Sequence, residues 1–187
     1  MTVHAPKHAF TVEEYHRMVE AGIFTEDDRV ELIEGEVLEM AAIGRRHAGC
    51  VNRLTRLFTQ GAGDRAVVSV QNPVQVGELS EPEPDLTLAR PRDDFYSEGH
   101  PAAGDILLLV EVTDTSHRYD EVKIAVYARH GVPEVWQVEV EEGAVTVFRE
   151  PSLEGYRAIH TAGRGVILSP AALPDLRIPV AEILGGD

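Results

Sequence analysis

Three side chains have types and a spacing that could hydrolyse a phosphate ester: Asp85, Glu111 and Lys123. Asp85 opens a predicted strand, Glu111 lies near the end of the apolar run at residues 106–112, and Lys123 follows on the next predicted helix. Two carboxylates from neighbouring strands can hold one Mg²⁺ or Mn²⁺, and the backbone carbonyl of Val112 and water can complete the coordination shell. A nearby ammonium can orient an attacking water or stabilise the charge that builds on phosphorus. The spacing therefore favours a metal site.

Lysine is used very selectively in this chain. Of 17 Lys and Arg residues, only Lys7 and Lys123 are lysines. Residues 1–9 are predicted to form a flexible tail, so Lys123 is the only lysine in the predicted folded part. Arg and Lys differ where a compact, tunable ammonium must stand beside a reacting group. The pattern favours a chemical role for Lys123, with a chance position on a helix surface as the alternative.

Glu111 has a structural explanation as well as a chemical one. An ionised Glu at the end of a core strand is costly unless it is paired, bound to metal or at the mouth of a cleft. A Glu where the strand meets water, or one paired with an Arg, would satisfy the same pattern. Its proximity in sequence to Asp85 and Lys123 favours the metal site.

The composition indicates a single folded domain over residues 1–187, with 43% apolar residues. The formal net charge is −15 and no basic block occurs, which argues against strong nonspecific binding to a nucleic acid duplex, although a local groove can be basic. The single Cys50 excludes an internal disulfide framework. The sequence shows no signal peptide and no apolar run near the length of about 18 residues that crosses a membrane. We expect a soluble cytoplasmic protein.

The N-terminal part predicts a helix and then a hairpin. Thr11 and Glu14 form a capping box that begins a helix at residues 12–21, which buries Tyr15, Met18 and Val19. Residues 29–40 alternate apolar and acidic side chains around a turn at Glu34 and Gly35, which is typical of a β-hairpin.

In this predicted hairpin the apolar side chains face inward and the acidic ones form a solvated face. The inward residues are Val30, Leu32, Val37 and Met40, and the solvated ones are Glu31, Glu36 and Glu39.

The spacing of apolar residues predicts a second helix at residues 45–60, with His47 at the N-terminal end of its apolar stripe. His47 is either a half-buried packing residue or part of a site. Residues 77–84 contain three Glu and two Pro and predict an exposed, stiffened loop. Further strands are predicted at residues 66–71, 85–89, 106–112, 134–140, 144–148, 156–159 and 165–168, and a third helix from about residue 116 to 129.

This order of elements indicates an α/β protein with one mixed sheet, an N-terminal helix and hairpin, and helices packed on the sheet.

The pair Pro84 and Asp85, followed 26 positions later by Glu111, resembles the PD-(D/E)XK phosphodiesterase superfamily, to which many restriction endonucleases belong. The usual pattern places a Lys two residues after the Glu, where this chain has Thr113. Some branches of the superfamily carry the Lys on the following helix, and Lys123 fits that arrangement.

The surrounding sequence is similar to the bacterial Uma-two family of restriction endonucleases over about residues 10–185. The matching features are residues 30–36 (Val-Glu-Leu-Ile-Glu-Gly-Glu), His47, residues 82–86 (Pro-Glu-Pro-Asp-Leu), residues 109–112 (Leu-Val-Glu-Val), Asp120, Lys123, Tyr127 and residues 131–136 (Gly-Val-Pro-Glu-Val-Trp).

The resemblance implies a restriction-endonuclease-like core, DNA as substrate and a homodimer. It implies metal ligands at Asp85 and Glu111 and a catalytic Lys123. Glu34, as a further acidic ligand, and His47, as a phosphate or water contact, are candidates of second rank, together with Thr113.

Two functions remain open from the sequence. One is a Mg²⁺-dependent (or Mn²⁺-dependent) endonuclease. The other is a catalytically inactive protein of the same fold that acts as a protein-binding or regulatory module, which Thr113 and the net charge of −15 favour. Motifs of zinc proteases, P-loop proteins, serine hydrolases and dinucleotide-binding proteins are absent from the sequence.

Overall fold

The computed structural model of the protein describes residues 7–25, 27–113 and 117–186, and of residues 117–120 it describes the backbone alone. Residues 1–6 of the predicted tail, residues 114–116 at the predicted start of the third helix and the side chain of Asp120 lie outside the described part. Residues 7–9 are exposed, and the Lys7 ammonium lies 2.8 Å from a Glu36 carboxylate oxygen.

A six-stranded mixed sheet forms the centre of the fold. Its strands, in spatial order, are β3 (Val67–Val70), β4 (Leu86–Ala89), β5 (Ile106–Thr113), β6 (Glu134–Glu139), β7 (Ala144–Ser152) and β8 (Gly155–Gly163). Neighbouring strands are antiparallel except for the parallel pair β5 and β6. The chain between β5 and β6 contains a helix, as a parallel connection usually does. The predicted mixed sheet flanked by helices is confirmed.

Smaller elements surround the sheet. They are the helices α1 (Val12–Glu20), α2 (Arg45–Ala62), α3 (His117–Arg129) and α4 (Val180–Leu184), the hairpin strands β1 (Val30–Ile33) and β2 (Glu36–Glu39), and the short pair β9 (Ile167–Leu168) and β10 (Ile178–Pro179).

Alternating side chains of β5 divide the core into two layers, because successive residues of a strand face opposite sides of the sheet. Leu108 and Val110 pack with Leu54 and Phe58 of α2. Leu109 packs on the other side with apolar residues of α3. Helices α2 and α3 therefore cover opposite faces of the same strand, and their side chains can meet only where the sheet ends.

Helix α1 begins as predicted, with the Thr11 hydroxyl accepting from the Glu14 backbone N–H and the Glu14 carboxylate accepting from the Thr11 N–H. Tyr15 is buried, Met18 is half-buried and Val19 is exposed. The predicted burial of Val19 is therefore wrong, because the partner of α1 is a narrow two-stranded hairpin that covers only one stripe of the helix.

The hairpin of β1 and β2 has the predicted turn, where Glu34 and Gly35 both have positive φ, 51° and 79°. It is covered on both sides: Leu32 packs against Val12 and Tyr15 of α1, and Ile33 packs with the apolar layer under α3. Glu36 and Glu39 are exposed as predicted, but Glu31 is only 2% exposed. The predicted solvated position of Glu31 is wrong, since this face of the hairpin packs on the protein.

Residues 80–84 also differ from the prediction of an exposed loop. Ser80, Glu81, Pro82 and Pro84 are buried. The reason is that the segment lies along β1 like an additional strand, with the Glu81 N–H donating to the Leu32 carbonyl at 2.8 Å. Glu78 and Leu79 remain exposed, so only the start of the predicted loop is at the surface.

Gly35, in the turn of the hairpin, can be used to test the packing of Ala9 on this turn. A Cβ at Gly35 would stand 2.6 Å from the Ala9 Cβ, and the φ of +79° adds strain. We expect Gly35→Ala to lower the free energy of unfolding by about 2–4 kcal/mol, measured by urea denaturation. Gly22→Ala is the matched control, because Gly22 has a φ of +73° but no atom within 4 Å. Equal losses in the two variants would contradict the packing of residue 9 on the turn.

Candidate active site

The pairing of β4 with β5 brings Asp85 to Glu111. Leu86 pairs with Val110 in these antiparallel strands. Asp85, which precedes Leu86, therefore stands opposite Glu111, which follows Val110. At this point the Asp85 side chain continues the pairing, because its Oδ2 accepts the Val112 backbone N–H at 2.8 Å. The two carboxylates predicted from the sequence therefore belong to one end of one strand pair.

Two further side chains hold Asp85. The His47 Nε2 lies 2.7 Å from Asp85 Oδ1, and the Gln71 side-chain N–H donates to the same oxygen at 3.3 Å. The hydrogen bond to Asp85 is the main reason why the pKa of His47 is raised, which favours an imidazolium that donates to the carboxylate. Helix α2, on one face of the sheet, thus places His47 beside Asp85.

Helix α3 delivers Lys123 from the other side. The Lys123 ammonium is 2.9 Å from Glu111 Oε1 and 3.3 Å from Glu31 Oε2, and it donates to the Glu83 carbonyl at 3.3 Å. Burial lowers the pKa of Lys123, but Glu111 and Glu31 outweigh this effect, so the pKa is raised. A lysine whose side chain is only 4% exposed therefore keeps its positive charge.

Glu111 is held in place by a hydrogen bond from the same helix. The Tyr127 hydroxyl donates to Glu111 Oε1 at 2.6 Å. Burial raises the pKa of Glu111 to about 8, while Lys123 and Tyr127 oppose the rise. The negative charges of Asp85 and Glu31 add to the rise that burial causes.

Glu31 is the member of this cluster that the sequence prediction missed. Its Oε2 accepts the Glu83 backbone N–H at 2.7 Å, which links the hairpin to the segment that leads into Asp85. A signal was available in Ile33, because an apolar residue two positions after Glu31 implies that this face of the strand is also buried. Glu83 is half-buried, and burial raises its pKa.

The candidates of second rank are placed differently from one another. His47 lies within the cluster. Glu34 is at the exposed hairpin turn, where its carboxylate accepts from Arg129 at 2.6 Å. Thr113 is buried two residues beyond Glu111 on the same strand, and its hydroxyl accepts from the Gln137 side chain at 3.3 Å. The Lys123 ammonium reaches Glu111 from α3, so the chain places an ammonium beside this carboxylate without a lysine at position 113.

The donor atoms of the cluster suit a hard cation. Among the residues that the structure describes, no group of three or more His, Cys, Asp and Glu side chains is arranged to hold a metal ion. Asp85 and Glu111 offer carboxylate oxygens, and the hydrogen bonds that described residues make to Glu111 end on Oε1 alone, leaving Oε2 for coordination. Two carboxylates completed by a carbonyl and water are a set that Mg²⁺ accepts.

Comparison with known families identifies the family of this chain. The model of the Uma2 family, described as "Putative restriction endonuclease", matches residues 12–181. The chain belongs to the Uma2 family. The resemblance to this family predicted from the sequence is therefore confirmed. No curated protein matches the chain.

A solved structure supports the same fold for this Uma2 member. It is the crystal structure of a protein from Anabaena variabilis, titled as a "putative nuclease belonging to DUF820". The TM-score is 0.74 at 15% sequence identity, and the alignment covers 94% of this chain and 97% of that one. The two proteins share the fold over nearly all of both chains, which confirms the predicted fold. Within the described residues, no helix is both long and apolar enough to cross a membrane.

Proposed function

We propose that this Uma2 protein is a divalent-metal-dependent endonuclease that hydrolyses phosphodiester bonds in DNA. The observation that carries the proposal is that Asp85, Glu111 and the buried Lys123 ammonium lie together, where β4 begins and β5 ends. Membership of a family described as "Putative restriction endonuclease" supports the reaction class. The oxygen-rich donor set supports a requirement for Mg²⁺ or Mn²⁺.

Asp85 and Glu111, with the Val112 carbonyl, would hold the metal, which when bound polarises a phosphate oxygen and makes a coordinated water more acidic. The Tyr127 hydroxyl fixes the Glu111 carboxylate through Oε1. The His47 imidazole and the Val112 N–H fix Asp85, one at each oxygen. Because these donors are set by the backbone and by two packed helices, the carboxylates need little reorganisation on binding a cation.

Lys123 supplies the positive charge of the reaction. Its ammonium keeps its proton and acts as a hydrogen-bond donor, either orienting the attacking water or stabilising the charge on the phosphate oxygens. Glu31 and the Glu83 carbonyl hold the ammonium from the side of the hairpin. In this proposal Glu31 is a positioning residue, since it acts through Lys123.

The first turn of α2 supports contact with the phosphate backbone of DNA. It carries Arg45, Arg46 and His47, has no acidic residue, and follows Gly44, which provides no side-chain cap. Arg45 and Arg46 are exposed, and Arg46 donates to Glu141 at 2.7 Å. In a chain with a net charge of −15, this turn is a local concentration of positive charge beside Asp85.

The proposal predicts metal-dependent cleavage by the wild-type protein. Supercoiled plasmid and short duplex and single-stranded oligonucleotides are incubated with the protein at low salt and Mg²⁺, Mn²⁺ or EDTA. We expect nicked or linear products with a divalent cation and none with EDTA. Products that persist unchanged in EDTA would contradict the metal requirement, and a folded protein that cleaves none of these substrates would contradict the endonuclease assignment.

A non-catalytic binding module is the second candidate. It is favoured by the net charge of −15 and by Thr113, which stands where the usual pattern has a lysine. This candidate predicts a folded protein without cleavage in Mn²⁺. Metal binding alone would not separate the two functions, whereas turnover would.

A further inference from the structure

The outer edge of the central sheet is an unpaired strand. Strand β8 spans nine residues, Gly155–Gly163, and pairs with β7 on one side only. Within the described chain, no backbone hydrogen bond of residues 156–162 reaches beyond β7. Every second N–H and C=O of such a strand points outward, ready to pair with another strand. The opposite edge, β3, has only four residues and is half-buried throughout.

Exposed apolar side chains lie at the centre of this strand and near its ends in sequence. Of the ten large apolar side chains that the described chain exposes, Ile159 is on β8, Leu153 is in the turn before it, and Val166 and Ile167 follow its end. Leu153 is 81% exposed and Ile159 is 60% exposed. Of the usual protections of an edge, the strand has one charged side chain, Arg157, and contains no Pro and no Lys. An exposed edge of this length and composition fits a partner strand better than water.

The charges near the two ends of β8 are complementary when two copies of the strand are placed antiparallel about Ile159. Ile159 is the central residue of β8, and Glu154 and Arg164 stand five positions before and after it. Both residues lie in turns, one position outside the two ends of β8, so in an antiparallel pair of two copies centred on Ile159 the Glu154 carboxylate of each copy comes near the Arg164 guanidinium of the other. Residues equally far from the centre point the same way, so outward backbone groups of one copy meet outward groups of the other.

The remaining pairs of this register are compatible. Arg157 meets Thr161 and His160 meets Ala158, so no two basic residues stand opposite each other. Leu153, six positions before the centre, comes beside Val166, which is seven positions after it. Arg164 donates to the Gly185 carbonyl at 3.2 Å, and neither it nor Glu154 forms an ion pair within the described part of the chain.

We infer that β8 is a homodimer interface, at which two copies of this chain pair their β8 strands antiparallel about Ile159 and form one continuous twelve-stranded sheet. The interface is isologous, so each contact occurs twice. The apolar side chains at the centre and ends of the strand bury surface, and the two Glu154–Arg164 pairs set the register. This inference is independent of the catalytic role proposed above, because strands β6 and β7 separate β8 from β5, which carries Glu111.

Sedimentation velocity and equilibrium on the full chain at micromolar concentrations test the interface. The expected wild-type mass is twice the chain mass of 20.5 kDa. Ile159→Lys places two ammonium groups opposite each other, and we expect the dimer dissociation constant to rise roughly tenfold or more. Ile23→Lys is the matched control, since Ile23 is 63% exposed and lies beyond the end of α1. We expect it to leave the dimer unchanged.

A charge exchange tests the register itself. Glu154→Arg and Arg164→Glu should each weaken the dimer, because like charges then face each other, and the double variant should recover it. Thermal unfolding of each variant verifies that the chain is folded. A wild-type protein that is monomeric throughout this range overturns the inference. A dimer that neither Ile159→Lys nor the single charge variants weaken also overturns it, because the interface then lies elsewhere.

Discussion

The Asp85→Asn protein is expected to cleave plasmid DNA about a hundredfold to a thousandfold more slowly than wild type, the loss typical of removing one preorganised electrostatic group. The substitution keeps the size of the side chain but removes its charge. It also turns an acceptor oxygen into an amide N–H₂, which then faces either the His47 imidazole or the Val112 N–H. Both metal binding and the positions of the two donors are expected to suffer.

The measurement is the initial rate of loss of supercoiled plasmid at matched metal, salt and protein concentrations. Asp175→Asn is the control, because Asp175 is exposed and its only side-chain partner within the described chain is Arg65. Circular dichroism verifies the fold of both variants. Cleavage by Asp85→Asn at the wild-type rate would show that this carboxylate does not take part in the reaction.

Lys123→Met is expected to lower the free energy of unfolding by about 3–5 kcal/mol, because breaking a buried ion pair leaves carboxyl groups in the interior that must either stay charged without a partner or take up a proton. Met fills much of the volume of the Lys side chain, so the loss reports charge more than packing. Glu111 and Glu31 are the carboxylates left without this ammonium. Urea denaturation at neutral pH measures the change, and a loss below about 1 kcal/mol would contradict a buried, charged pair.

Glu31→Gln should partly rescue the Lys123→Met protein. Gln removes one of the two negative charges and can still accept the Glu83 N–H, which now bonds to Glu31 Oε2 at 2.7 Å. We expect the double variant to be more stable than Lys123→Met by about 1–2 kcal/mol, as for coupled neighbours in one network. Additive losses would contradict the contact between Glu31 and Lys123. Neither variant is expected to recover cleavage, because the ammonium is absent from both.

Local signals in the sequence were enough to predict most elements of the fold. The capping box at Thr11 and Glu14 predicts the start of α1, and the turn at Glu34 and Gly35 predicts the hairpin. Such signals succeed because capping and positive-φ turns depend on a few adjacent residues. The family resemblance was also predictable, because it rests on short sequence motifs that occur in a fixed order along the chain. The match over residues 12–181 confirms it.

The errors concern which faces of these elements are buried. Glu31 was predicted on a solvated face and Val19 on a buried one, and both predictions were wrong. Alternation identifies the two faces of a strand, but the number of faces covered depends on what packs there. The segment at residues 80–84 was misjudged for the same reason, because its polar backbone is satisfied by β1, a partner some 50 positions away in sequence.

The sequence alone determined which carboxylates and which lysine stand out, because their chemical types and their positions at strand ends are local properties. Only the tertiary structure decided that Asp85 continues the pairing with β5, that α2 and α3 bring His47 and Lys123 to the same sheet end from opposite faces, and that Glu31 joins them. These contacts join residues far apart in the chain, and they depend on strand register and on helix packing.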